Sequence, residues 1–253
     1  MVLEDLITPQ KAERHPVELF FIGFIYSSLA IVLSVWIFKQ YSSLVMVFLT
    51  VVAALPLMYN TLKYEEGMDV KLGSERSMLR EHSLVIKFLV SLLIGMLIAD
   101  AFWFVVLPSD MVELIFHTQV ETINAINSKV IGNYLSSDIF MKILLNNIKV
   151  LLFTLFFAFF YGAGVLFILT LNASVIAAAV GIFIRNNIAS YANYIGLEGV
   201  WAYFNIFSAG LLRYLIHGIP EIAAYFVGGL AGGIISVAMI NHDIESENFK
   251  RIM

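Results

Sequence analysis

Two ionisable side chains stand four positions apart in an otherwise oily stretch: His217 and Glu221, in "LIHGIPEIAAYFVGGLAGGIISVAMI". A third, Asp100, lies within "LLIGMLIADAFWFVV". Ionisable groups inside a bilayer cost at least a few kcal/mol each, so each asks for a partner or a function. A histidine beside a carboxylate can hold a proton, ligate a metal or grip a partner. The same two residues also suit a turn between helices. Gly218 tolerates unusual backbone angles, and Pro220 restrains Ile219 from helical geometry. His217 then meets the negative end of one helix and Glu221 the positive end of the next. Arg213, four residues earlier, can snorkel to the membrane boundary or pair with Glu221. A zinc site would want a third ligand, but His15, His82, His117 and His242 all lie outside oily segments that meet His217. There is no HExxH, and the chain has no cysteine. No catalytic residue, metal or cofactor is therefore expected.

The elements that must carry these residues are membrane spans. Of the 253 residues, 60% are hydrophobic and 13% charged, and the mean hydropathy is +0.87. Soluble domains average about 25% charged. The net charge of −4 is small and dispersed, which gives no reason to expect nucleic acid. The expected class is all-α, a polytopic transmembrane bundle in the cell membrane. Spans of roughly 20 residues are read at 19–38, 44–59, 85–107, 148–171, 174–184, 200–216 and 220–240. That gives about seven, or six if 174–184 is re-entrant. The first two form an N-terminal hairpin over residues 1–60, with a short connection at 39–43. A polar cytoplasmic loop follows at 61–84, and a polar tail at 241–253.

Residues 108–140 differ. Val112, Ile115, Phe116, Val120, Ile123, Ile126, Val130 and Tyr134 recur mostly three or four apart, a helical stripe. The segment is too polar to span. It suits an extracytoplasmic helix lying on the membrane or packed over the bundle, with a stripe that can bind a partner. Lys63, Lys71, Arg76, Arg80 and Lys87 cluster around the 61–84 loop, while 108–140 holds only Lys129. Basic residues favour the cytoplasmic side, so the N-terminus is placed inside.

Further polar residues sit at span ends. Asn146 and Asn147 enter the fourth span, and Asn172 is expected at a turn between the fourth and fifth. Asp100 needs a partner, and Lys149 or Arg185 is expected to supply it. In the last span Ala224, Gly228 and Gly232 are spaced by four, as are Gly229 and Gly233. Small residues so spaced let helix backbones approach closely in lipid, within the chain or in self-association. Asn172 and His217 each precede a helix of small residues, which suggests two tandem hairpins.

The stretch "LLNNIKVLLFTLFFAFFYGAGVLFILTLNASVIAAAVGIF", followed by "LIHGIPEIAAYFVGGLAGG", resembles the stage II sporulation protein M family. That family has an N-N pair entering a helix, an asparagine before a small-residue helix, and a P-H-G-x-x-E motif. Asn146, Asn147, Asn172, His217, Gly218 and Glu221 match those positions. Ile216 stands where the family has proline, Pro220 supplies one later, and Ala173 stands where glycine is usual. The resemblance covers about residues 85–240, including 108–140, and leaves the first hairpin as an addition. It implies a multi-span protein without established enzymatic activity, whose namesake is the membrane component of a complex with cell-wall hydrolases. The expected role is a non-enzymatic scaffold that anchors a protein partner. The alternative is a transporter or channel-like protein using the polar residues of the spans.

Overall fold

The computed structural model describes residues 16–71, 75–130, 148–153, 163–188 and 231–235, with positions 141, 145, 156, 205, 227, 228 and 239. Every regular element among them is helical. Helix α1 spans Pro16–Phe38, and a 3-10 turn, Lys39–Tyr41, leads into α2, Ser42–Lys71. Helix α3 covers Glu75–Val106, α4 Ser109–Ile115, α5 His117–Val130 and α6 Ala163–Ile188. Three stretches are long and apolar enough to cross a membrane: Pro16–Tyr64, Ile86–Val106 and Ala163–Asn187. The first is the α1–α2 hairpin, since Phe38 leaves helical geometry at φ −126°, ψ 42°.

The hairpin and the third span follow the sequence reading. Pro108 fixes the end of α3, because the residue before a proline is pushed out of the helical region. The polar stretch 61–84 departs from expectation: it is helical over 61–71 and 75–84 rather than a loop. Its Lys, Glu, Met and Leu residues are good helix formers, and two oily helices extend through it.

The buried and exposed faces of α1 are the reverse of a soluble helix. Its buried residues are Leu19, Gly23, Ser27, Ala30, Ile31 and Ser34. The large apolar residues Phe21, Ile25, Leu29, Val32 and Trp36 point outward. In water such a surface would be an aggregation liability. Against lipid it costs nothing, and small buried residues let helices approach.

The bundle runs in register. Along α1 and α3, Ser91 bonds the Pro16 carbonyl, Ser27 bonds Asp100, and Trp103 Nε1 donates to Ser28 at 3.0 Å. Both partners advance together, so α1 and α3 are parallel, with α2 antiparallel beside them. Helix α6 is also parallel to α3: Thr170 meets Met96, Gly181 meets Phe104, and Arg185 meets Leu107. One core cluster joins Leu19, Ala54, Met58, Leu62, Phe88, Leu92, Met96, Val165, Leu169 and Ala173, with Val150 and Leu151 packed against it. A second, at the other end, joins Ile31, Met46, Val47, Phe104, Val112, Ile115, Phe116 and Ala178.

One expected turn is absent. Asn172 lies in the middle of α6, half-buried, with helix on both sides. The boundary between a fourth span at 148–171 and a short or re-entrant fifth at 174–184 therefore does not exist. Asparagine costs well under 1 kcal/mol in a helix interior. Here Ala173, Ala177, Ala178 and Ala179 carry the helix onward, and Ala173 and Ser174 are fully buried. The tandem-hairpin pattern loses its first turn with it.

Candidate functional site

Asp100 is the described ionisable residue buried deepest in a candidate span, 3% exposed. It is met by a residue from the N-terminal hairpin: the Ser27 hydroxyl donates to Asp100 Oδ1. The expected partners are not used. Lys149 is exposed. Arg185 instead donates to the Leu107 carbonyl, reaches Ser109 Oγ at 3.5 Å, and lies 5.7 Å over the Phe104 ring. A cation at the C-terminal end of α3 is favoured by the helix dipole and satisfies a carbonyl that has no further turn to accept from.

The Ser27–Asp100 bond lies one turn along from a close approach of α1 and α3. A Cβ on Gly23 would strike the Leu92 carbonyl oxygen, with its carbon at 3.0 Å. A Cβ on Gly95 would strike the Phe20 carbonyl oxygen, with its carbon at 2.8 Å. The two glycines face each other's helices, and no side chain larger than hydrogen fits at either. Gly23 with Ser27, and Gly95 with Ala99, repeat the four-residue spacing read in the last span.

A second polar centre lies at one end of the bundle, where α4 and α5 cap it. A break in helical geometry at Phe116 (φ −110°, ψ 18°) separates the two helices, so the sequence stripe folds as an elbow. Val112, Ile115 and Phe116 are buried, with Val120 and Ile123 packed against the same cluster. From Val112 to Ile123 the stripe is thus spent on the bundle. Gln119, completely buried, sits at the centre. Ser43 Oγ donates to its Oε1 at 2.9 Å, and its Nε2 donates to Ser174 Oγ at 3.1 Å. Ser174 in turn donates to the Leu171 carbonyl at 2.7 Å, and the Thr118 amide donates to Ser43 Oγ at 3.0 Å. One amide therefore ties α2, α5 and α6 together. Its position, three residues after Phe116 on the apolar stripe, is the sequence signal for it: a polar residue in a core register.

Fully satisfied buried networks rigidify, and breaking one strands the remaining groups at about 1–3 kcal/mol each. Gln119→Ala is therefore expected to loosen the cap. Limited proteolysis within α4–α5 should accelerate markedly, while cutting elsewhere in the bundle should not. Gln119→Met, of similar length, should fall short of wild type, because shape alone does not replace the bonds.

Outside the cap, Asp110, Glu113, His117 and Glu121 follow one exposed line. His117 Nδ1 lies 3.5 Å from Glu121 Oε2. Two open clefts flank this line. One, of about 560 Å³, includes Gln40, Tyr41, Asp110, Glu113 and His117. The other, of about 470 Å³, includes Phe104, Glu113, Glu121, Ile182 and Arg185. Among the described residues no three His, Asp or Glu side chains converge as a metal would require.

Asn146, Asn147, Arg213, His217, Gly218, Glu221, Ala224 and Gly229 lie outside the described residues. Of the small-residue series, Gly232 and Gly233 are buried and Gly228 half-buried. A Cβ on Gly233 would lie 2.7 Å from Leu62 Cδ1. That glycine packs against α2 of the same chain.

The stage II sporulation protein M family model matches residues 84–253. Neither the curated proteins nor the solved structures include a match. The matched segment holds nearly all of the apolar part of α3 and the whole of α4, α5 and α6, while the α1–α2 hairpin precedes it and supplies Ser27 and Ser43. With two thirds of its length covered by that model, the chain belongs to the stage II sporulation protein M family.

Proposed function

We propose that the chain is a multi-pass protein of the cell membrane that acts as a non-enzymatic scaffold, holding the α4–α5 cap for a protein partner. The observation that carries this reading is the seating of the cap. Buried Gln119 bonds both α2 and α6, which makes a fixed platform with its charged line outward. The same direction of α3 and α6 supports one more crossing between them. With the sequence spans at 200–216 and 220–240 this reading has seven crossings, α6 taking the place of the fifth. The cap and the α1–α2 turn share one end, joined by Ser42 Oγ donating to the Leu114 carbonyl at 3.1 Å. The basic cluster around 61–84 lies towards the other. The positive-inside tendency then puts the N-terminus in the cytoplasm and the cap outside.

Charge reversal of the exposed line, Glu113→Lys with Glu121→Lys, is expected to release a partner that co-purifies stoichiometrically with wild type in mild detergent. Neither residue is buried, so melting should stay within about 0.5 kcal/mol of wild type. Retention of the partner by this variant would remove the cap from the binding surface. The buried Asp100, in mid-span, favours a second reading as a transporter. Solute movement across liposomes containing the purified protein alone would establish that reading in place of the scaffold.

A further inference from the structure

Charged residues mark two levels along the bundle. Residues 19–38 of α1 and 40–62 through the turn and α2 hold none, and 88–109 holds only Asp100. Each run is 20–23 residues, roughly 30–35 Å as helix, the thickness of a bilayer's hydrocarbon core. At one end the runs stop at Lys39 and Asp110; at the other, at Glu18, Lys63 and Lys87. Three helices packed in register thus agree on one slab, and Arg185, which ends the charge-free part of α6, stands beside Leu107 at the first level. At the first of these levels Trp36 is 79% exposed and Tyr41 72% exposed, with Phe38 and Lys39 also outward. Just below them on α1 the exposed residues are aliphatic, Leu29, Val32 and Leu33, and those exposed on the neighbouring helices, Leu44, Phe48 and Phe102, carry no polar group. Tryptophan and tyrosine over an apolar band are the signature of a membrane–water interface, since their rings are apolar and their N–H or O–H groups seek water.

We propose that the headgroup layer of the bilayer crosses the molecule at the α1–α2 turn, anchored by Trp36 and Tyr41, and that the α4–α5 cap stands on the aqueous side of it. This rests on the multi-pass reading above and adds a depth to it. The end surface carries Asp110, Glu113 and Glu121 against Lys39 and the engaged Arg185. Anchoring is therefore by aromatic insertion and needs no anionic lipid.

The cysteine-free chain makes the test direct. Single cysteines at Leu29, Gln40 and Glu113, all exposed on the protein surface, are treated with a water-soluble maleimide in membrane fragments open on both sides. Positions 40 and 113 are expected to label fully and position 29 only after denaturation. Equal labelling at all three would overturn the bilayer reading as a whole. Sparing of 40 and 113 along with 29 would leave the protein in the membrane and overturn the proposed depth alone. A second measurement reads the anchor itself, in phosphatidylcholine vesicles brominated on upper or on lower acyl carbons. The emission of wild type minus that of Trp36→Phe should be quenched most by the upper bromines. Stronger quenching by the lower ones would overturn the interfacial placement.

Discussion

Gly95→Leu is expected to detach the N-terminal hairpin from the rest of the bundle, and Gly23→Leu to do the same from the other side. Each glycine faces a backbone carbonyl of the opposite helix, Phe20 for Gly95 and Leu92 for Gly23. A backbone carbonyl held in a helix cannot rotate away as a side chain does. Overpacking typically costs about 1–3 kcal/mol where neighbours can shift; here α1 and α3 must separate along their length, and the cost should exceed that range. Separation also strands Asp100 and exposes Ser28 and Trp103 to lipid. Gly233→Ala gives the contrast. Its obstacle is the end of the Leu62 side chain, which has other rotamers, so a loss of about 1–3 kcal/mol with the fold retained is expected. Melting in detergent, followed by size exclusion, distinguishes the two outcomes. A well-folded Gly95→Leu protein with near-native melting would show that α1 and α3 do not meet as described.

The second large effect concerns Ser27 and Asp100. Ser27→Ala removes the donor and leaves a buried carboxyl with one bond fewer, at about 1–3 kcal/mol. Asp100→Leu removes the carboxyl but strands the Ser27 hydroxyl, which in a helix can fall back on a carbonyl of the preceding turn. Asp100→Leu should therefore be the milder single change. The double variant should be less destabilised than the sum of the two, because replacing both partners by apolar groups leaves nothing unsatisfied. Strict additivity would mean that the two residues do not interact. The same cycle bears on function. If Asp100 serves only the α1–α3 contact, the double variant keeps whatever activity the wild type has. If a proton or solute passes by Asp100, every variant lacking the carboxyl loses it, however stable.

What could be read in the sequence, and what could not, follows from the range of the interactions. Helix class, the short connection at 39–43 and the stop at Pro108 are local, set by hydropathy and by proline; the structure has all three, with the connection narrowed to Lys39–Tyr41. The stripe of residues 112–123 was legible as amphipathic, and its register fixed which face is buried. That the face lies on the bundle end rather than against a partner depends on Met46, Val47, Phe104 and Ala178 from three other helices, which no local pattern encodes. Asn172 misled because asparagine is a turn residue by propensity; six small or apolar neighbours and burial against α3 outweigh that preference. Asp100 announced that it needed a partner but not which one. Charge pairing pointed to Lys149 or Arg185, whereas helix register delivered Ser27, 73 residues away. Gly23 and Gly95 obey the spacing rule that singled out Gly228 and Gly232, yet their neighbours Phe20, Phe24 and Met96 are bulky, so neither run looks like a small-residue face.

The family match begins at residue 84, so the hairpin before it would pass for an appendage. The structure makes it part of the core, and one measurement decides between the two. A protease site is placed in the 72–74 connection of the full chain, which is cut after folding and captured in mild detergent through a tag at the C-terminus. The hairpin fragment is expected to stay bound to residues 75–253 through every wash, and to be lost when the same cut is made in Gly95→Leu. Release of the hairpin from the cut wild-type chain would contradict the account, leaving α1 and α2 as a tethered anchor beside a family core that stands without them.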